Sequence, residues 1–144
     1  MPITRLKIAA ACLLNPANEL LVVRKRHTRF FMLPGGKLES GESGLEALAR
    51  EIQEELNLLL DTEICQPLGL FQAPAANEPD TMIEAELFMA YVDTPSLAVA
   101  AELEALAWIP LTPPYEVALA PLLSKHVLPL LQRNTGLSPA NRQA

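Results

Sequence analysis

Apolar and polar positions alternate through the first part of the chain. Leu6, Ile8, Ala10, Cys12 and Leu14 fall on one side of an extended backbone, which predicts a strand over 4–14. Asn15-Pro16-Ala17-Asn18 is turn chemistry, and a short apolar strand returns over 20–24. A third short strand is expected over 30–33, just ahead of Pro34-Gly35-Gly36. The period then changes. Leu45, Leu48, Ala49, Ile52 and Leu56 recur at helical spacing and predict a helix over 44–56 with one apolar face. Beyond it, 58–60 and 64–72 read as extended, with Gly69 marking a bulge. Residues 73–80, carrying Pro74 and Pro79, read as a loop bordering a pocket. A strict alternation resumes over 81–92, where Ile83, Ala85, Leu87, Met89 and Tyr91 share one side. The Pro-rich 110–114 breaks the chain, and 115–132 reads as a closing helix interrupted by Pro121 and Pro129. The tail over 134–144 is polar and expected to fray, which leaves 1–133 as one domain.

The central helix carries its own start and stop signals. Ser43 followed by Glu46 is a capping box, each side chain satisfying a backbone N–H at the helix start. Asn57 stands where a helix end needs a left-handed residue, a conformation Asn tolerates. Glu51, Glu54 and Glu55 fall within an arc of about 100° beside the apolar face. Three carboxylates on one arc repel one another. A Glu-rich arc is commonly a solvated face; the sharper reading is a hard-cation site, since Mg²⁺ takes carboxylate oxygens together with water and phosphate oxygens.

The residues upstream decide between those readings. Gly36 to Ser43 invites comparison with a phosphate-binding P-loop, but the position that must be lysine there is Glu42, a charge reversal that would repel phosphate. A different pattern fits. Gly36, five residues, Glu42, seven residues, then Arg50-Glu51-Ile52-Gln53-Glu54-Glu55-Leu56-Asn57-Leu58 resembles the Nudix box. Asn57 stands where the family has glycine, the mildest replacement available at a helix C-terminus.

The resemblance implies an α/β fold, an α/β/α sandwich with a mixed β-sheet and a loop-helix-loop catalytic motif. It implies a metal-dependent hydrolase acting on a nucleoside diphosphate linked to another moiety, with Mg²⁺ or Mn²⁺ as cofactor and water attacking phosphorus. Glu51, Glu54 and Glu55 are then the expected carboxylate ligands, with the Gly36 carbonyl a further one. Arg50 would orient Glu51, and Glu42 would brace the loop against the helix through Arg50. The general base stays open among the box glutamates and carboxylates outside the box, such as Glu86 or Glu104. Glu84 and Glu86 share a strand face that simple solvent exposure also explains, and Glu102 belongs to the same open set. Substrate identity stays open among nucleoside triphosphates, ADP-ribose, dinucleoside polyphosphates and nucleotide sugars. The competing reading is a catalytically silent Nudix-like domain that binds a nucleotide as a regulator.

Charge and composition narrow the partners. A net charge of −6 over 144 residues argues against a stable nucleic-acid partner, and no apolar run reaches the roughly 18 residues of a membrane span. The N-terminus lacks a signal-peptide layout, so a cytoplasmic location is the expectation. Cys12 and Cys65 lie far apart, form no CxxC and are expected to be reduced. One basic cluster, Arg24, Lys25, Arg26, His27 and Arg29, runs toward the glycine loop; it is either an ordinary solvated turn or a phosphate clamp. Arg24, Arg26, Lys37 and Glu86 are the expected substrate- or phosphate-binding residues. Trp108 is expected to pack rather than stack on a base. The apolar first strand and the leucines of the last helix could support a homodimer or could be core.

Overall fold

The computed structural model describes residues 3–93 and 97–134. β1 (Thr4–Leu14) is the spine of its sheet, because residues Ala9 to Leu14 are all buried and so cover both faces. It pairs in parallel with β5 (Thr81–Tyr91) along its whole length, from Thr4↔Thr81 to Leu14↔Tyr91. On its other side β1 changes partner. Its end pairs antiparallel with β2 (Leu20–Lys25) at Leu14↔Leu20, while Ile8, Ala9 and Ala10 pair with β3 (Gly35–Lys37). β4 (Gln66–Pro74) and β6 (Leu103–Ile109) close the two edges, giving the order β4-β5-β1-β2-β6 with β3 off that path. The sheet is therefore mixed.

Alternation along β1 divides the core in two. Ala9, Ala11 and Leu13 pack with Leu21, Val23 and Phe88 against Ala47, Leu48, Ile52 and Leu56 of α1 (Gly44–Leu56). Ala10, Cys12 and Leu14 face the opposite way, with Leu87 and Met89, against Leu123, Val127, Leu128 and Leu131. This is an α/β/α sandwich. The buried stripe of α1 takes Ala47 where the periodicity suggested Ala49. Ser43 caps the helix with the reciprocal Glu46 bond, and Asn57 ends it at φ 52° and ψ 39°, in the left-handed region.

Three expectations are corrected. The strand placed at 30–33 is reduced to isolated bridges, Val23↔Met32 and Phe31↔Leu119, and the regular strand is Gly35–Lys37 instead. Apolar propensity pointed to the first segment, but backbone pairing with β1 selects the second, where glycines let the chains approach. The closing helix starts at 121, not 115, with Pro121 as its first residue, where a missing N–H costs nothing. Within it, Pro129 has no N–H to offer one turn back; ahead of it the helix widens into a π-turn over Leu123–Val127, with Leu128 N–H bonding the Leu123 carbonyl, before continuing as α2 (Leu128–Asn134). The extended segment placed at 64–72 is preceded by a 3₁₀ turn over Thr62–Ile64, capped by Asp61, and runs to Pro74. Gly69 does sit at a register shift, with φ +112°. Cys12 and Cys65 are both free and belong to opposite faces of the sheet. The tail beyond Asn134 lies outside the described residues. Among those described, no helix is long and apolar enough to cross a membrane.

Candidate active site

The change of partner along β1 creates the site. Where β1 leaves β2 for β3, the loop from Leu33 to Lys37 runs alongside β1, and Ala11 N–H bonds the Pro34 carbonyl at 3.0 Å. Gly35 follows at φ +145°, and any Cβ there would strike the Ala9 backbone. Its N–H donates to Glu55 Oε1 at 3.1 Å, joining the loop to α1. The next residue meets the helix through space: a Cβ on Gly36 would overlap the Glu51 carboxylate. Two adjacent glycines thus place the loop against two box glutamates.

Arg50 fixes the other side of this joint. Its Nε and Nη2 grip the two oxygens of Glu42 at 2.8 and 2.9 Å, its Nη1 donates to Glu51 Oε2 at 3.0 Å, and Nη2 also reaches the Lys37 carbonyl at 3.0 Å. A planar, five-donor guanidinium can serve all of these at once. Hydrogen bonding from Arg50 holds the Glu42 carboxyl down at about 2, aided by the Glu39 N–H. Arg50 thereby ties the loop (Lys37, Glu42) to the helix residue Glu51.

A cavity of about 480 Å³ opens beside this joint. Glu51, Glu54 and Glu55 line one end with Gly35, Gly36, Lys37, Lys25 and Glu102. Ile8, Ala10, Ile83, Leu122 and Leu123 form an apolar wall, and Pro74 to Glu78 with Thr28 form the rim. Glu55 is the buried member of the acidic set, only 6% exposed. Desolvation pushes its carboxyl up to about 7 despite the Gly35 N–H, with the charge of Glu51 adding to the rise. Glu54 is exposed and stands 3.7 Å from Arg50. Among the described residues, no three His, Cys, Asp or Glu side chains converge on one point as a preformed cage. The donor chemistry nevertheless suits a hard divalent cation: carboxylates and the Gly36 backbone line one cavity, and one of the carboxylates is buried.

Of the other expected site residues, Lys37 and Glu102 reach the cavity and the rest are placed elsewhere. Arg24 pairs with Glu104 at 2.8 Å, bonds the Thr28 carbonyl and covers the Phe31 ring, outside the cavity lining. Arg26 is exposed and uses its backbone N–H on the Glu102 carbonyl. The Glu86 carboxylate rests against Gly44 at the start of α1, where a Cβ would overlap it; both Glu84 and Glu86 lie on the α1 side of the sheet and outside the cavity lining. Of the four expected phosphate-side residues, only Lys37 lines the cavity. Lys25, which the sequence marks only as a member of the basic cluster, also lines it; a register shift between Arg24 and Lys25 separates the two neighbours. Asn77 and Glu78 had no signal beyond lying in a Pro-bounded loop. Trp108 is half-buried in β6 opposite Leu21, packed against the α1-side core.

Known proteins match this architecture. A family model of the NUDIX domain matches residues 4–131. The chain is 33% identical over 66 residues to a putative 8-oxo-dGTP diphosphatase of Bacillus subtilis, covering 46% of this chain and 43% of that protein. It is 33% identical over 70 residues to an ADP-ribose pyrophosphatase of Methanocaldococcus jannaschii, covering 46% and 40%. These matches span less than half the length of the curated relatives. Among solved structures, the E. coli ORF135 protein superposes with a TM-score of 0.68 at 21% identity, covering 96% of both chains. The NUDIX domain of Shewanella oneidensis NrtR, solved with ADP ribose, gives 0.70 at 17% identity, covering 94% of this chain and 90% of that one. The structural likenesses carry the fold, and the domain match carries the kinship: this chain belongs to the Nudix family.

Proposed function

We propose that this chain is a metal-dependent pyrophosphohydrolase that cleaves a nucleoside diphosphate linked to another moiety, such as a nucleoside triphosphate or ADP-ribose. One observation carries the reading: Glu51, Glu54 and Glu55 open into a single cavity together with Gly36 and Lys37. The names of the relatives, an 8-oxo-dGTP diphosphatase and an ADP-ribose pyrophosphatase, support the substrate class.

Glu51, Glu54, Glu55 and the Gly36 carbonyl would hold Mg²⁺ or Mn²⁺. Such an ion, when bound, neutralises charge on the pyrophosphate oxygens and acidifies a water. Lys25 and Lys37, at the same cavity end, attract the polyphosphate. Arg50 keeps Glu51 in place while its grip on Glu42 keeps the loop closed on the helix. A carboxylate must accept the proton of the attacking water, and the cavity offers Glu51, Glu54, Glu55, Glu78 and Glu102 for that role. The apolar wall of Ile8, Ala10, Leu122 and Leu123 receives the uncharged part of the substrate.

The test is phosphate or pyrophosphate release with Mg²⁺ and Mn²⁺ from canonical and oxidised dNTPs, ADP-ribose, a diadenosine polyphosphate and a nucleotide sugar. Turnover of one class by wild type, reduced by about 10²-fold or more in Glu54→Gln, is the expected result. Absence of turnover across the panel by folded, metal-loaded wild type would favour a nucleotide-binding role instead.

A further inference from the structure

The segment Pro74 to Glu78 lines the proposed substrate cavity on one side, and on the other it lines a second, more open hollow of about 650 Å³ beside His27, Arg29 and Phe30. It is a partition between two spaces. Its base is closed by the backbone bond from Ala75 N–H to the Thr81 carbonyl at 2.8 Å, and its far end by Thr4 N–H to the Asp80 carbonyl at 2.9 Å. The tip is held differently. The Asn77 carboxamide accepts from the Phe30 N–H and donates to the Phe30 carbonyl, both at 3.4 Å. One side chain thereby imitates a strand partner for one residue, across 47 positions of sequence.

Phe30 begins the segment that delivers the chain to the glycine loop. Its neighbour Phe31 bonds the Ala118 carbonyl and accepts from Ala120 N–H, and Met32 exchanges both bonds with Val23. The segment is thus anchored from two other sides, which makes it a firm post. The two Asn77 bonds are long, and each is weak on that account. A loop closed at its base and fastened at its tip by two weak bonds to a fixed post has the properties of a latch.

We propose that Asn77 is a positioning residue that latches the Pro74–Thr81 loop to Phe30, and so sets the shape of the cavity rim against which the substrate is held. The inference rests on the pyrophosphohydrolase reading for its kinetic part only. The box glutamates Glu51, Glu54 and Glu55 lie on α1 and not on this loop, so the latch acts on binding rather than on the proposed ion site.

The test compares full-length wild type with Asn77→Ala and Asn77→Asp. Asn77→Asp keeps the acceptor for Phe30 N–H and puts a carboxylate against the Phe30 carbonyl. Hydrogen exchange at the Phe30 amide and across residues 75–80 should rise about tenfold or more in Asn77→Ala, with exchange in α1 unchanged. Asn77→Asp should retain protection at Phe30 while loosening the loop. On whichever substrate the wild type turns over, KM should rise about tenfold in Asn77→Ala with kcat within about twofold. Unchanged exchange in the loop would overturn the latch, as would a fall in kcat at unchanged KM. If Asn77→Ala loses its fold, Asn77→Asp carries the same exchange and kinetic comparison. A wild type without turnover would sink the enzymatic reading alone, because the exchange measurement still decides the latch.

Discussion

Gly36 and Arg50 are the residues on which the site geometry turns, for opposite reasons. Gly36 has no left-handed backbone demand; it is required because a Cβ would displace the Glu51 carboxylate. Gly36→Ala should therefore fold, lose no more than a few degrees of Tm, and drop kcat/KM by about 10²-fold, a barrier change of about 2.7 kcal/mol. Steady-state kinetics beside a thermal melt separates the two effects. Arg50→Lys tests the guanidinium itself. A lysine cannot grip Glu42 with two bonds while also reaching Glu51 and the Lys37 carbonyl. It should lower kcat/KM about 10- to 100-fold with charge unchanged; full activity in Arg50→Lys would mean that the fork is dispensable. The contacts among Glu42, Arg50 and Glu51 follow from the box that the sequence resembles, because the box is contiguous in sequence. Arg24, Arg26 and Glu86 could not be placed that way. Nearness in sequence does not say which way a side chain faces: Arg24 pairs with Glu104, Arg26 is exposed, and Glu86 rests against Gly44.

The elements differ in how locally they are determined. The apolar period of the first helix misplaces one buried position, giving Ala49 for Ala47, but its bounds were legible because their signals are its own: the Ser43–Glu46 box and Asn57. The strand at Gly35–Lys37 was not, because it exists only through pairing with β1, and the closing helix was misjudged at its start because Pro121 opens it. Asn57 offers a clean test of local determination. It holds φ 52°, where a Cβ is unfavourable unless the side chain compensates, and its Oδ1 accepts from Gln53 Nε2 at 3.2 Å. Asn57→Gly restores the family residue, relaxing the backbone while losing that bond, and should leave stability within about 0.5 kcal/mol. Asn57→Ala keeps the strain, loses the bond and should cost about 1 kcal/mol. Urea melts of the pair decide this; equal stabilities would show that the helix end is held by its packing and not by its cap.

At the scale of the whole molecule, the buried carboxylate of the site is a liability that a bound cation should relieve. Glu55 is buried where sheet, loop and helix meet, and its carboxyl is raised from 4.5 to about 7 by desolvation. Between those values the folded state holds a proton that the unfolded state has released. Stability therefore falls as pH rises through this window, and the cost is complete above pH 7. For a group this buried the loss is about 3 kcal/mol. Glu42 works in the reverse sense: its carboxyl is lowered from 4.5 to about 2, so its contribution is present above 4.5 and is lost as pH falls toward 2. Together these two groups contribute most near pH 4.5, Glu42 losing its share below that pH and Glu55 adding its cost above it. Glu55→Gln should flatten the alkaline limb, raising the Tm at pH 8 in EDTA while changing little at pH 5. Mg²⁺ should have the matching effect on wild type, since a ligand at a hundredfold its Kd stabilises by about 2.7 kcal/mol, and should stabilise Glu55→Gln less. Melts of both proteins across pH, with EDTA and with Mg²⁺, test the whole linkage. Parallel curves for the two proteins would show that Glu55 carries neither the pH dependence nor the ion.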